Sequence, residues 1–587
     1  MCGIFGYIGY RKNAGKILLE GLKSLEYRGY DSWGVLFKKN DGTLYIEKQI
    51  GKIGDTTLPM IESSVGIGHT RWATHGGVTK QNSHPHTDCN KKLVLVHNGI
   101  VENYAKLKHK LKRKHTFTSE TDSEILAHYL EEKIEENDKV QFATIVKNVF
   151  GELEGLNAII VYRPETNEFV AIKNGSPLIF AVGNKESFLT SDSASTLPYT
   201  KKVYYLEDNE TLYLTKNNYT LFDSSGKEKK LKTFTLTTPQ DAGMLGDFPH
   251  YMMKEMYEQP KVIKNILLTQ KGQIKKATHL IKQAYGTYFI ACGTAYYAAL
   301  AGTYLFSKIA KYHINASVGS EFTYLTDFLT PKSLVVALSQ SGETIDIISS
   351  LKIVQEKKSK IMALTNVLGS TLYRMSDFQL LLNAGPEKCV LATKSFTAKI
   401  AYLYLLAHNL AGTDSVGEKY IKNAIQEIES LLKQKHTIHT LAKKIKKSSH
   451  MYVLGRGASY PTALESALKI KEVSYIHAEG FAGGELKHGV MALIEKNTPV
   501  IVYHPVDETY EDTLSSAHEV KARGALVIGV SSKPNDVYDV FIPVKNCGDA
   551  TIIPNVVVAQ LLGYYLATEL GNDVDKPRNL AKSVTVK

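Results

Sequence analysis

Through residues 1 to about 238, apolar positions come in short alternating or continuous runs at Val65–His69, Leu93–His97, Ala158–Tyr162, Phe169–Ile172 and Leu178–Val182. Gly, Asn and Pro punctuate these runs, which predicts strands joined by turns. Ala14–Leu25 and Ser123–Lys133 carry helical spacing instead. Together they predict a layered sheet flanked by helices. Residues 239–255, from Pro239-Gln240-Asp241-Ala242-Gly243 onward, interrupt the pattern and read as a linker, and a helix is expected over Met253–Leu268.

Beyond the linker the pattern repeats. Tyr288–Tyr296 matches Tyr452–Tyr460 at an offset of 164, and Ser333–Leu338 matches Thr498–Tyr503 at 165. Glu343-Thr344 recurs as Glu508-Thr509, again at 165. Each unit alternates short apolar strands with helical stretches, which predicts two parallel-sheet α/β subdomains. The period is far too long for a solenoid, so the pattern is a domain duplication.

Composition adds exclusions. With 587 residues, 43% apolar and 22% charged, the chain is of ordinary globular make-up and too long for one core. No stretch approaches the roughly 20 apolar residues of a membrane span, and the first residues do not read as a secretory signal, so a cytoplasmic location is expected. The five cysteines (Cys2, Cys89, Cys292, Cys389 and Cys547) are odd in number, far apart and without a CxxC pair. Neither a disulfide framework nor a zinc site is expected from that spacing. The net charge of +12 includes lysine-rich runs at 106–114 and 443–447. Their spacing suits solvated helix faces, and no aromatic residues interleave them as a nucleic-acid platform would require. A positive protein also suits anionic small substrates.

The first chemical signal is Met1-Cys2-Gly3-Ile4. Removal of Met1 exposes an α-amine with a pKa of roughly 7.7–8.0, able to serve as a base beside the Cys2 thiol. His69-Thr70-Arg71-Trp72-Ala73-Thr74-His75-Gly76 follows a strand, and Arg71 there can clamp a carboxylate with two hydrogen bonds. Asn98 and Gly99 after the strand at 93–97 have the groups of an oxyanion hole, an amide and a backbone N–H. Asp122 offers a carboxylate for an α-ammonium and reads equally as a helix N-cap. These residues, with Tyr27-Arg28-Gly29-Tyr30-Asp31-Ser32, resemble the glutaminase domain of the class II, N-terminal-nucleophile amidotransferases. The resemblance implies an αββα-layered α+β domain over 2–238. In it Cys2 attacks the glutamine amide, Asn98 and Gly99 hold the oxyanion, and Arg71 and Asp122 grip the α-carboxylate and α-amine. Trp72 gates ammonia, while Thr74 and His75 line the site.

In the duplicated half, Ser339-Gln340-Ser341-Gly342-Glu343-Thr344 follows a strand and opens a helix, an anion cradle aided by the helix dipole. Thr294 ends the first strand and points to the same ligand. In the second repeat, Ser459 reads as a helix cap with Pro461 in the first turn. Glu465, Lys469 and Glu472 then fall on one helix face, either a surface salt-bridge row or a proton-transfer site. Glu485, Lys487 and His488 follow. With the tail Asp573–Lys587, these features resemble the glutamine–fructose-6-phosphate aminotransferase family over essentially the whole chain. The resemblance implies two sugar isomerase (SIS) domains, at 256–430 and 431–575, and a tail over 576–587 that closes the sugar site. Thr294, Ser339, Gln340, Ser341 and Thr344 would bind sugar phosphate. His488 opens the ring from a partner subunit, Lys582 forms a Schiff base, Glu472 moves a proton between C1 and C2, and Lys469 and Glu465 support it. Ala581 lies on the closing tail. Glutamine and fructose 6-phosphate are the implied substrates, a homodimer the implied assembly, and no metal, pyridoxal or nucleotide is required. Ala295 and Ala392 stand where the family commonly carries hydroxyls. The phosphoribosyl-pyrophosphate loop and the SGGxDS loop of other class II amidotransferases are not found.

Overall fold

The computed structural model describes residues 2–137, 139–236 and 243–585, in two compact units. The first unit takes residues up to 236 together with 581–585, and the second takes 243–580. Residues 239–242 of the expected linker lie outside the described residues. Its far end is not a linker: the helix starts at Tyr251 and runs to Thr269, two residues earlier than the apolar spacing at Met253 indicated. Tyr251 and Met252 donate their N–H groups to Asp575, so a remote carboxylate satisfies the helix start.

The first unit stacks an eight-stranded and a seven-stranded sheet, in which all strand pairs are antiparallel. Period-two alternation sorts the side chains into layers. Ile4 and Ile8 of strand Gly3–Gly9 face Val94, Val96, Ile160 and Phe169 of the other sheet in a shared core. Phe5 and Tyr7 point the opposite way, onto helix Ala14–Leu25. Leu95, Ile159 and Val161 point onto helices Asp122–Glu136 and Phe142–Gly151. Helix, sheet, sheet and helix therefore form four layers, the expected αββα order. Trp33, on strand Ser32–Lys38, is fully buried under the first helix layer.

The second unit contains two five-stranded parallel sheets. The first takes strands Thr287–Ala291, Asn315–Val318, Leu334–Ser339, Lys360–Thr365 and Phe378–Leu381, ordered in space second, first, third, fourth, fifth. The second sheet repeats this order with His450–Gly455, His477–Ala482, Pro499–Tyr503, Leu526–Ser531 and Val540–Pro543. The sequence offset of 164–165 is therefore structural. Thr344 and Thr509, equivalent by that offset, both sit at the N-cap of the helix after the third strand. The inner faces of both sheets share one core with helices Tyr251–Thr269, Lys394–Ala411, Ser459–Ser474 and Ile552–Glu569. Contrary to the expectation that no stretch approaches a membrane span, one helix, Gly548–Glu569, is long and apolar enough for one, but it is buried in that core.

Candidate functional site

Strand Gly3–Gly9 pairs antiparallel with Val65–Arg71, Gly3 opposite Thr70. That register sets Cys2 beside the end of the second strand. The Trp72 N–H donates to Cys2 Sγ at 3.3 Å, and the thiol lies 3.6 Å from the Trp72 carbonyl. Burial pushes the Cys2 thiol up, while the Trp72 N–H and the Arg71 charge oppose it. A thiol held neutral in this way needs a base at the moment of attack.

Asn98 is the penultimate residue of strand Val94–Gly99, and its Nδ2 donates to the Cys2 carbonyl at 3.1 Å. Gly99 has φ +137°, and a Cβ there would meet the Leu156 carbonyl at 2.3 Å. Only glycine fits that turn. Arg71 is buried and is anchored by the carbonyls of Gly76 at 3.1 Å and Gly77 at 3.0 Å. Asp122 is buried and accepts the Val101 N–H at 2.7 Å. It is not the N-cap: Thr121 caps this helix by accepting the Glu124 N–H. Capping thus falls to Thr121, and Asp122, as the first helical residue, has its carboxylate free of that role. Trp72 is half-buried against Tyr30, ring centroids 5.8 Å apart. His75 packs on Tyr104 at 5.5 Å, and Thr74 is exposed.

Two residues beyond the expected set hold this site. His69 Nε2 lies 3.0 Å from the His97 carbonyl and 3.1 Å from Asn98 Oδ1, both acceptors. Burial lowers its pKa to about 3, so a neutral imidazole donates from Nε2. That contact turns the amide so that Nδ2 faces the Cys2 side. Asp31 Oδ2 accepts the Ala73 N–H at 2.8 Å and fixes the chain after Trp72. Both lie inside motifs visible in the sequence, but their roles depend on cross-strand register.

In the second unit, Thr294 and Ser339–Thr344 follow the first and third parallel strands, which are neighbours at the point where strand order reverses. Ligand crevices of open α/β sheets form there. The cradle is fixed internally. Ser339 Oγ accepts the Gly342 N–H at 3.0 Å and contacts Thr344 Oγ1 at 3.0 Å, and Ser341 Oγ accepts the Glu343 N–H at 3.2 Å. The Gln340 carbonyl accepts the Asn366 N–H at 3.1 Å. Gly342 has φ +67°, and a Cβ would meet Ser370 Oγ at 2.1 Å.

Glu465 and Lys469 are not a surface row. Both are fully buried on helix Ser459–Ser474, with Lys469 Nζ 3.5 Å from Glu465 and 2.5 Å from Glu472. Burial pushes the Glu465 carboxyl up to about 8, against the Lys469 charge. The two carboxylates outweigh burial at Lys469 and hold it charged. Ser459 is the first helical residue rather than the cap, which is Ala458. His488 ends a short helical turn and is exposed, paired with none of these three. Ala581 and Lys582 group with the first unit.

Comparisons with known proteins agree with this division. The family described as Glutamine amidotransferase domain matches residues 69–198, and the SIS domain family matches 280–409 and 444–539. Over the whole of both chains, the sequence is 42% identical to a glutamine–fructose-6-phosphate aminotransferase [isomerizing] from Thermococcus kodakarensis. It is 41% identical, again over both full lengths, to the protein of the same name from Aquifex aeolicus. A solved C-terminal domain of glucosamine-fructose-6-phosphate aminotransferase from Francisella tularensis superposes with a TM-score of 0.54 and 33% identity, covering 57% of this chain and 100% of that one. Tagatose-6-phosphate ketose/aldose isomerase from Escherichia coli shares the fold at a TM-score of 0.50 and 17% identity, over 57% of this chain and 96% of that one.

Proposed function

The chain belongs to the isomerising glutamine–fructose-6-phosphate aminotransferase family, and on that premise we propose that it converts D-fructose 6-phosphate and L-glutamine to D-glucosamine 6-phosphate and L-glutamate. One joint observation carries this reading. A single chain, matched along its full length, keeps both a thiol flanked by an amide and an arginine and a Glu–Lys–Glu row, with Glu465 and Lys469 buried, in the duplicated sugar fold.

At Cys2, the α-amine exposed by loss of Met1 takes the thiol proton, and sulfur attacks the glutamine amide carbon. Asn98 Nδ2 and the Gly99 N–H stabilise the oxyanion. Arg71 and Asp122 bind the α-carboxylate and α-ammonium, with Trp72, Thr74 and His75 closing round them. Collapse of the intermediate releases ammonia, and water then hydrolyses the thioester to glutamate. In the sugar unit, Thr294, Ser339, Gln340, Ser341 and Thr344 hold the phosphate. His488, supplied across a homodimer, opens the ring, and Lys582 condenses with the C2 carbonyl of the open ketose, releasing water. Ammonia passed on from Cys2 displaces Lys582. Glu472 carries the proton from C1 to C2, which converts the ketose imine to the 2-amino aldose. Glu465 and Lys469 set the charge around Glu472, and Ala581 closes with the tail. A cytoplasmic setting fits these small phosphorylated substrates.

Lys582→Ala tests the assignment. The variant is expected to make no glucosamine 6-phosphate while still hydrolysing glutamine, and borohydride with fructose 6-phosphate should trap an adduct on the parent alone. A trapped sugar adduct in the variant would contradict the Schiff-base role.

A further inference from the structure

The first unit holds a cluster that the proposed reaction does not use. Cys89 lies in the turn after strand His86–Thr87, His115 in the segment after helix Tyr104–Lys110, and His128 and Glu131 on helix Asp122–Glu136. Cys89 Sγ is 3.6 Å from His115 Nδ1 and 3.6 Å from His128 Nδ1. Glu131 Oε2 is 3.1 Å from His115 Nδ1 and 3.2 Å from His128 Nδ1. The four donor atoms all lie within 4.8 Å of one another.

The four stated separations have the lengths of edges of a coordination tetrahedron. Bonds of about 2.3 Å to sulfur and about 2.0–2.2 Å to nitrogen and oxygen place tetrahedral donors about 3.6 Å apart for S–N and about 3.3 Å for N–O. The observed separations match both values closely, across three separate chain segments.

The surroundings of His115 are laid out like those of a ligating ring. His115 presents Nδ1 to Glu131 at 3.1 Å and Nε2 to Glu132 at 2.9 Å. With a metal among the four donors, Nδ1 gives its lone pair to the ion and Nε2–H donates to Glu132. A carboxylate behind a ligating histidine is the usual second layer of a zinc site. Glu132 is itself fixed by the Lys112 and Arg113 N–H groups, at 3.0 Å and 2.8 Å.

We propose that Cys89, His115, His128 and Glu131 bind one zinc ion in a closed, structural site. Binding displaces the Cys89 thiol proton to solvent with no change of oxidation state. Thiolate, carboxylate and two neutral imidazoles around a dication leave the site with zero net charge, which suits the buried His128 and Glu131, while Cys89 closes it from the exposed side. All four positions are filled by protein, so the ion does no chemistry on glutamine. It ties the 88–92 turn and the 111–118 segment to the helix that begins with Asp122.

The test uses the full chain without a histidine tag, loaded with zinc, dialysed and analysed for metal by mass spectrometry. About one zinc per chain is expected for the parent and for Cys2→Ser, with loss of the ion in Cys89→Ser. Glu132→Gln should retain the ion but bind it about 10–100-fold more weakly. Cobalt(II) loading should give a thiolate charge-transfer band in the parent and in Cys2→Ser, absent in Cys89→Ser. A parent chain that retains no zinc after loading, or equal zinc in Cys89→Ser, would overturn the site. The cobalt band in the parent decides the matter even if a variant folds poorly.

Discussion

The Asn98 amide aims its NH2 group at the Cys2 side when its carbonyl oxygen is held on the other side. His69 occupies it, from a neutral ring that burial keeps far from protonation. Asn98→Ala should therefore lower glutaminase kcat by about 10²–10³, the cost of losing one oxyanion donor. His69→Phe should give a smaller loss with an unchanged pH profile, and steady-state glutamate release measures both. Cys2, Arg71 and Asn98 stood out in the sequence as candidates because thiol, guanidinium and amide have few structural uses in that pattern, and the fold brings them together. His69 was not, since an imidazole on a strand reads first as core, and only the pairing of Gly3 with Thr70 and the approach of Asn98 reveal its partner. Cys89, His115 and His128 were illegible for the same reason. Their spacing follows no metal motif, and it is the fold that brings the turn and the helix together.

At the scale of elements, period and punctuation read well. Ala14–Leu25 formed over the expected residues, because its apolar face is continuous and Ala14 backs onto the strand layer. Strand ends were less legible. The strand expected at Leu93–His97 runs Val94–Gly99, since pairing with Asn157–Arg163 carries it through polar residues that alternation alone would stop at. The Ser459 and Asp122 caps were misplaced by one residue, as Ala458 and Thr121 take those positions. A carboxylate or hydroxyl at a helix start does not reveal whether it faces the helix or a ligand. The loop proposed to hold the sugar phosphate offers a test at this scale. Gly342→Ala places a Cβ 2.1 Å from Ser370 Oγ at a positive φ. That strain, of order 1–3 kcal/mol, has to be relieved by moving the loop. The variant should raise KM for fructose 6-phosphate at least tenfold and leave glutamine hydrolysis intact.

Across the whole molecule the two units respond to pH in opposite senses. In the first, burial lowers His69 to about 3 and holds His84 and His86 well below their usual value. The unfolded chain takes up protons at these sites below about pH 6.5, where the folded chain does not. Their contribution is therefore full above that pH and drains away as the medium is acidified toward about 3. In the second unit Glu465 keeps its proton to about pH 8 when folded, against an ordinary value of 4.5. That contribution is full at low pH and is lost as pH rises between those two values. Urea midpoints across this range should fall on the acid side for the first unit and decline toward alkaline pH for the second, and Glu465→Gln should abolish the second slope alone. The domain order and the duplication behind these two responses were readable in the sequence, because both rest on repeated local patterns. The burial that shifts the pKa values was not, since it depends on helices far apart in the chain.

The central claim is that nitrogen leaves glutamine at Cys2 and arrives at C2 of the sugar. Glutamine labelled with nitrogen-15 in the side-chain amide, supplied with fructose 6-phosphate in excess unlabelled ammonium, tests it directly. The account predicts labelled glucosamine 6-phosphate in step with glutamate, and none from Cys2→Ala. Glutamate without labelled amino sugar, or an amino sugar carrying the unlabelled nitrogen, would contradict it.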